Sequence, residues 1–201
     1  MAAKVANNHK QDTRTALLNA GMTIMLEKGY NNTGIQEVLN SLGVPKGSFY
    51  HYFDSKEDFG LAIIEYFDCG FSSKVLTAFA NAELTPLARL RAYYETTREN
   101  LSANDCRKGC LIGNLSQEMA DQSETLRHAL CDVMAKWRDL FATCIAEGQA
   151  TGEISPNFPP DRMAELLLSS WEGAVMRAKT TKNIEPIDVF IELMFEQVLK
   201  A

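Results

Sequence analysis

The stretch Val44–Phe59 reads VPKGSFYHYFDSKEDF and decides the fold of the N-terminal part of the chain. Four of the five residues from position 49 to position 53 are phenylalanine or tyrosine. Phe49 and Phe53 are four residues apart, so in a helix they lie on one face and are expected to pack inward. The ring surface therefore predicts a short amphipathic helix with one buried side.

The residues before this stretch predict two further helices. Apolar side chains recur with a 3.6-residue period over residues 12–28, and Gly29 is expected to end that helix. The sequence Thr33-Gly34-Ile35-Gln36 is typical of a capping box that opens a short second helix, which Gly43 closes. The first helix of the domain is thus followed by a short one.

Pro45 suits the first turn of the third helix, which is expected to end near Phe53. Asp54 and Ser55, together with Asp58, are predicted to cap a fourth helix. The second and third helices are then joined by a turn of about three residues that contains a glycine. This is the helix-turn-helix arrangement.

The third helix is predicted to turn a hydrogen-bonding face outward. A cation, a glycine that permits close approach of the backbone, hydroxyls, a phenol and an imidazole suit contact with the major groove of DNA. The alternative is an ordinary exposed polar helix, but two phenylalanines suffice for packing and tyrosines are poor choices for a merely solvated face. The residues of this outward face and its flank are Lys46, Gly47, Ser48, Tyr50, His51 and Tyr52.

Charge and composition are compatible with this interpretation. The net charge is −6, yet residues 1–60 carry six basic and six acidic side chains, so all of the net negative charge lies beyond residue 60. A neutral N-terminal unit on an acidic body allows DNA binding without demonstrating it. Apolar content of 46% is typical of a globular protein. With neither a membrane-spanning run nor the apolar core of a signal peptide, a cytoplasmic location without membrane association is expected.

The rest of the chain is predicted to be helical as well, so the fold class is all-α. Further helices are expected near residues 55–79, 86–102, 124–149, 161–179 and 186–200, with the proline-rich segment EISPNFPPD as a loop. We predict two domains: residues 1–55 form the helix-turn-helix DNA-binding domain, and residues 56–201 form a second helical domain.

The five cysteines are expected to be free thiols. Cys110 follows Arg107 and Lys108, and a cationic neighbourhood together with a helix beginning near Leu111 favours the reactive thiolate. The alternative is that Cys110 is a packed, small apolar residue. Cysteines 69, 131 and 144 fall inside predicted helices and are interpreted as inert core thiols. Without histidine near Cys106 and Cys110, neither a metal site nor another cofactor is expected.

The motif from Gly29-Tyr30 and Thr33 through LGVPKGSFYHYF to Ser55-Lys56-Glu57 resembles the N-terminal domain of TetR-family transcriptional regulators. The resemblance implies that residues 56–201 form a domain for effector sensing and dimerisation. It implies a homodimer whose third helices enter the major groove and whose DNA is released by a small effector. It also implies that the last two predicted helices pair with their copies in a dimer bundle. Transferred by position, base-edge and nearby backbone contacts come from Lys46, Gly47, Ser48, Tyr50 and His51, and phosphate contacts come from Thr33, the Gly34 amide, Tyr52 and Lys56.

A second resemblance concerns the segment from Arg107 to Glu118, together with Trp171-Glu172-Gly173-Ala174 and Ala178-Lys179. It is similar to the branch of the family that includes the repressor of N-ethylmaleimide reductase, which senses electrophiles through cysteine. This implies Cys110 as a sensor thiol, Cys106 as a resolving partner and Lys179 as a cationic neighbour.

Two alternatives remain open at the level of the sequence. A reversible ligand could bind in a pocket lined by Phe67, Tyr93, Trp137, Trp171 or their neighbours. The chain could also be a helical enzyme, although it has neither a Gly-rich phosphate loop nor a nucleophile elbow.

Overall fold

A computed structural model describes the backbone of residues 2–201 and the side chains of residues 12–201. Over this range the chain is built from α-helices, as the sequence predicts. They are α1 Ala2–Lys28, α2 Ile35–Leu42, α3 Lys46–Tyr50, α4 Lys56–Phe79, α5 Pro86–Ala103, α6 Leu111–Met119, α7 Glu124–Ala150, α8 Pro160–Thr181 and α9 Glu185–Leu193. Each of these helices is too short or too polar to cross a lipid bilayer.

The chain divides into two compact units. Unit 1 comprises residues 1–69 and 111–130, and unit 2 comprises residues 70–110 and 131–201. This division does not test the predicted domain boundary at residue 55, which stays a prediction. Helix α6 belongs to unit 1 although it follows α5 of unit 2 along the chain.

Unit 1 contains the predicted trio of helices. Gly29 ends α1 with a φ of +83° and donates its N–H to the Met25 carbonyl oxygen, as expected for a left-handed residue after a helix. Three residues, including the left-handed Gly43, join α2 to α3. Ser55 Oγ accepts the Asp58 N–H, and the Asp58 carboxylate accepts the Asp54 N–H, so the predicted cap of α4 is confirmed.

The predicted capping box at the start of α2 is wrong. Gly34 occupies the N-cap position and provides no side-chain cap. The Thr33 hydroxyl donates instead to the Gly29 carbonyl oxygen at 2.7 Å, and Gln36 donates to Asn40. Pro45 likewise takes the N-cap position of α3 rather than its first turn. Thr33 therefore stabilises the loop between α1 and α2 and does not cap α2.

An aromatic cluster fixes α3 in unit 1. Phe49 and Phe53 are buried, as predicted, and their rings meet Phe59 of α4 at 5.1 and 4.8 Å between centroids. Gly21 of α1 lies against the Phe59 ring so closely that a Cβ there would come within 2.4 Å of it. Burying such rings contributes several kcal/mol each, about 3–5 kcal/mol by truncation to alanine.

Unit 2 encloses its core between α5, α7, α8 and α9. Helices α8 and α9, whose ranges were predicted from apolar residues at helical spacing, supply much of this core through Met163, Leu167, Ala174, Ile187 and Ile191. The last predicted helix stops short of residue 200, because the backbone passes from α9 into a π-helical turn at Met194–Val198.

Candidate DNA-binding face and thiol site

Helix α3 presents to solvent the face that the sequence predicts. Lys46, Gly47, Tyr50 and His51 are exposed, with half of the Tyr50 side chain accessible. A Cβ built at Gly47 meets no atom within 4 Å, so the backbone there is open to an approaching partner. We define the exposed DNA face as Lys46, Gly47, Ser48, Tyr50, His51 and Tyr52.

Ring contacts hold this face in shape. The Lys46 ammonium lies 5.9 Å from the centroid of the Tyr50 ring, and the rings of His51 and Tyr52 meet at 4.9 Å in an edge-on arrangement. Tyr50 also meets the buried Phe49 ring edge-on at 5.4 Å. The polar side chains of α3 are thus positioned by the aromatic cluster beneath them.

Two predicted phosphate ligands are engaged within unit 1. Thr33 is only 2% exposed, so its hydroxyl offers little to a phosphate, whereas the neighbouring Gly34 is exposed with open space around its Cα. The Lys56 ammonium donates to the Asn31 carbonyl oxygen and lies 4.8 Å from the Tyr30 ring centroid. Burial lowers the pKa of Lys56, while the nearby Glu118 carboxylate acts in the opposite direction.

A carboxylate that the sequence analysis does not assign a role fixes the loop ahead of α2. Glu118 of α6 accepts the backbone N–H groups of Tyr30 and Asn31, each at 2.7 Å. A Cβ at Gly29 would lie 2.6 Å from the Glu118 carboxylate, so only glycine leaves room for this contact. These partners are 87 and 88 residues apart, and no local pattern could have revealed them.

The cysteines fall into different environments, and one prediction about them is wrong. Cys69 and Cys131 are exposed, not core thiols, because their helical positions face away from the core. Cys144 is buried as predicted; burial raises its pKa to about 12, and its thiol donates to the Pro86 carbonyl oxygen. Cys106 is 4% exposed and belongs to the core of unit 2.

Cys110 occupies the junction expected from the sequence, with α6 beginning at the next residue. The backbone before it is unusual: Asp105, Cys106, Lys108 and Gly109 all have φ between +51° and +73°. Left-handed conformations cost non-glycine residues about 1–2 kcal/mol each. Cys110 therefore follows a strained loop, which we call the left-handed loop, residues 105–109.

A carboxyl group and a phenol are among the groups near the Cys110 thiol. Cys110 forms a side-chain hydrogen bond with Glu172 of α8. Burial raises the pKa of Glu172, and the hydrogen bond from Cys110 opposes that rise. Burial also raises the pKa of Tyr93, and electrostatic repulsion from Cys110 and Glu172 raises it further. Whether the predicted cation Lys179 approaches the thiol stays a prediction.

The predicted aromatic lining is partly brought together in unit 2. Phe71 stacks on Trp137 with ring centroids 3.7 Å apart and meets Tyr93 edge-on at 6.2 Å. Trp171 packs instead against Tyr94, at 4.8 Å, within the core. Sequence reasoning missed Tyr94, whose position in α5 carries no motif.

Comparison with known proteins agrees with this arrangement of helices. Residues 17–63 match the family described as "Bacterial regulatory proteins, tetR family", and residues 86–194 match the "Tetracyclin repressor-like, C-terminal domain". The chain belongs to the TetR family. It is a transcriptional repressor of this type and, like the relatives it matches, not an enzyme.

Several relatives are similar over nearly their whole length. The transcriptional regulator AcuR of Cereibacter sphaeroides is 43% identical, over 87% of this chain and 80% of the relative. The repressor DhaR of a Mycobacterium species is 37% identical over 94% and 93%. The repressor NemR of Escherichia coli K12 is 32% identical over 90% and 92%.

Solved structures show the same fold. A regulatory protein TetR from Rhodobacter sphaeroides superposes with a TM-score of 0.85 at 41% identity, over 90% of this chain and 96% of that one. The reduced form of E. coli NemR superposes with a TM-score of 0.87 at 31% identity, over 94% and 97%. The helix-turn-helix and the helical second part are thus shared with TetR-family proteins.

Proposed function

We propose that this TetR-family repressor acts as a homodimer in the cytoplasm and leaves its DNA operator when a small effector acts at or near Cys110. The exposed DNA face of α3 carries the first part of this proposal. It offers donors and an open backbone on one side of α3 and of the turn after it, whose other side is anchored by Phe49 and Phe53.

The dimer is supported by apolar side chains that the core of unit 2 leaves exposed. Leu166 and Met176 lie on α8, and Val189 and Leu193 lie on α9. Large apolar side chains in exposed positions on neighbouring helices are typical of a protein–protein interface. A two-fold dimer would present two copies of α3 to half-sites about one helical turn of DNA apart.

The DNA face is tested by titrating the DNA that flanks the protein's own gene in a mobility-shift assay. Lys46→Ala and Tyr52→Phe are each expected to weaken binding, by about 1–3 kcal/mol if Lys46 contacts a base. Lys74→Ala, which removes an exposed lysine from unit 2, is the matched control and should leave affinity unchanged. Equal losses for Lys46→Ala and Lys74→Ala would contradict the assignment of α3.

An effector that reacts with Cys110 is supported by the position of this thiol between the left-handed loop and α6. Helix α6 carries Glu118, whose carboxylate accepts hydrogen bonds from the loop ahead of α2. Because Cys110 directly precedes α6, an adduct on its sulfur could shift α6 and, through Glu118, the helix-turn-helix. We expect a quinone or an aldehyde to add to the purified protein and to release it from the operator.

Intact mass measurement and operator binding, made in parallel, check this expectation. Cys110→Ser should bind the operator normally and stay bound after exposure to the reagent. Cys131→Ser, which removes an exposed thiol elsewhere, should behave like the natural protein. Normal release of Cys110→Ser by the reagent would refute thiol sensing.

A reversible ligand is the second candidate, favoured by the stacked Phe71 and Trp137 and the neighbouring Tyr93. These rings offer a flat apolar surface beside polar groups, which is typical of small-molecule sites. A ligand of this kind should raise the melting temperature and release DNA to the same extent before and after the thiols are blocked.

A further inference from the structure

Arg14 of α1 differs from the other half-buried arginines whose side chains the structure describes. Each of the others lies at ion-pair distance from a carboxylate; they are Arg89, Arg91, Arg98, Arg127 and Arg138. No carboxylate among the described side chains pairs with Arg14, and residues 1–11 contain neither aspartate nor glutamate. Because a partly buried charge is costly without a counter-charge, Arg14 calls for an anionic partner.

The contact that the structure gives Arg14 is with an aromatic ring. Its guanidinium carbon lies 5.5 Å from the centroid of the Phe53 ring. That ring is 2% exposed and meets the ring of Tyr52, a member of the exposed DNA face, at 6.3 Å. Packing on a ring gives the N–H donors of a guanidinium no oxygen acceptor. Arg14 therefore offers donors next to the flank of the exposed DNA face.

Arg91 in unit 2 makes the same kind of ring contact and serves as a comparison. Its guanidinium carbon lies 5.3 Å from the centroid of the Phe195 ring. It also donates to the Glu196 carboxylate, and the Glu95 carboxylate lies 3.8 Å away. Arg14 has the ring without the carboxylates. Packing over a ring alone does not account for the charge of Arg14, since the apolar stem of the side chain supplies that packing.

Most of the lysines and arginines described in unit 1 are bonded within it. Oxygen atoms of unit 1 accept hydrogen bonds from Lys28, Lys56 and Arg127. Lys46 and Arg14 contact rings instead, those of Tyr50 and Phe53. Lys46 already belongs to the exposed DNA face. Arg14 is thus a second cation of unit 1 whose charge is available to an anion from outside.

A series of ring contacts joins these two cations. The Phe49 ring meets the Tyr50 ring at 5.4 Å and the Phe53 ring at 5.3 Å between centroids. Lys46 and Arg14 therefore rest on the same aromatic cluster, and the packing of this cluster fixes the position of one relative to the other. Cations held in this way suit a DNA duplex, whose phosphates are regularly spaced.

We propose that Arg14 binds a DNA phosphate beside the bases that α3 contacts. This inference rests on the proposed DNA face and adds a contact from α1 that neither the helix-turn-helix motif nor the transferred family contacts include. A guanidinium can donate two parallel N–H bonds to two phosphate oxygens. Such a contact fixes the position of the protein on the duplex without reading its sequence.

The dependence of binding on salt tests this contact. Arg14→Gln removes the charge and keeps a polar side chain. In mobility-shift titrations with the DNA that flanks the protein's own gene, the slope of log affinity against log salt should fall in magnitude by about 0.9 for each bound copy of the chain. Binding at about 50 mM salt should weaken at least roughly tenfold. A duplex of scrambled sequence should lose the same factor, because a phosphate contact is independent of sequence.

Two further variants separate charge from packing. Arg14→Lys should keep the slope, because it keeps the charge, and should lose affinity, because an ammonium cannot form the paired bonds. Lys28→Gln removes the same charge from an ion pair with Glu37 at the other end of α1, and this matched control should keep the slope of the natural protein. Melting temperatures are measured in parallel. A smaller folded fraction lowers the apparent affinity by the same factor at every salt concentration and leaves the slope unchanged.

The outcomes separate the inference from the proposed DNA face. If Arg14→Gln keeps the natural slope while Lys46→Ala weakens operator binding, the phosphate contact is overturned and the DNA face of α3 stands. If Arg14→Gln weakens binding to the operator more than to the scrambled duplex, Arg14 acts on base recognition and the phosphate contact is again overturned. If the natural protein binds neither duplex, both proposals fail.

Discussion

At the scale of single residues, Gly47 is a position where the fold of the protein does not require glycine. It is exposed on α3, and a side chain there would meet nothing within 4 Å. Alanine is favoured over glycine inside a helix by about 1 kcal/mol. Gly47→Ala should therefore stabilise the folded protein, and it should weaken the binding of a partner that approaches the backbone closely.

We therefore predict that Gly47→Ala keeps or slightly raises the melting temperature while weakening operator binding at least about tenfold. Calorimetry and a mobility-shift titration on the same sample measure both effects. Gly21→Ala is the opposite control, because its Cβ would press on the Phe59 ring and destabilise unit 1. Unchanged operator affinity of Gly47→Ala would show that the backbone of α3 does not approach DNA closely.

Single residues also show what the sequence can and cannot predict. The burial of Phe49 and Phe53 follows from their spacing, and the exposure of Tyr50 follows with it. The contacts of Cys110 with Glu172 depend on how distant helices pack, so no spacing rule reaches them. Thr33 was misassigned as a cap because its hydroxyl has a second, equally local acceptor in the Gly29 carbonyl group.

At the scale of elements, α6 links chain segments that are far apart in sequence. Its Glu118 carboxylate accepts two backbone N–H groups from the loop between α1 and α2, and its neighbour Gln122 accepts the Asn31 side-chain amide. The start of α6 near Leu111 was expected from the sequence, whereas its end at Met119 was not predicted. Its role was not predicted either, because a lone glutamate on a short helix has no distinguishing pattern.

We expect Glu118→Gln to destabilise unit 1 by about 2 kcal/mol, since hydrogen bonds to a charged acceptor are worth about 1.5–3 kcal/mol each and the amide keeps only one oxygen. Chemical denaturation measures the loss, and a mobility-shift titration should show weaker operator binding. Asp121→Asn removes the same charge from an exposed position just after α6 and serves as control. Equal stability of the two variants would show that the Glu118 contacts contribute nothing.

At the scale of the whole molecule, the proposed dimer rests on the apolar residues that the core of unit 2 leaves exposed. Periodicity predicted the stripes of α8 and α9, and most of their members are buried in the core. Leu166, Met176, Val189 and Leu193 remain exposed. Sequence periodicity could not separate core from interface, because both demand apolar residues at helical spacing.

If the proposed dimer forms through these side chains, replacing one of them by a charge should break it. Met176→Asp and Leu193→Asp are each expected to shift the mass in light scattering toward the 22.4 kDa of one chain and to reduce operator affinity strongly. Leu76→Asp, at an exposed leucine of α4, is the control and should leave the mass unchanged. A natural protein that is already monomeric at micromolar concentration would refute the dimer proposal.

The left-handed loop also stores conformational free energy in the backbone. Its three non-glycine residues, Asp105, Cys106 and Lys108, hold about 3–6 kcal/mol of unfavourable backbone energy together. A strained segment of this kind lowers its free energy by changing conformation when the contacts that restrain it are lost. Modification of the neighbouring Cys110 sulfur would then need only to break the contacts that restrain the loop. The release of backbone strain would supply the free energy for the conformational change.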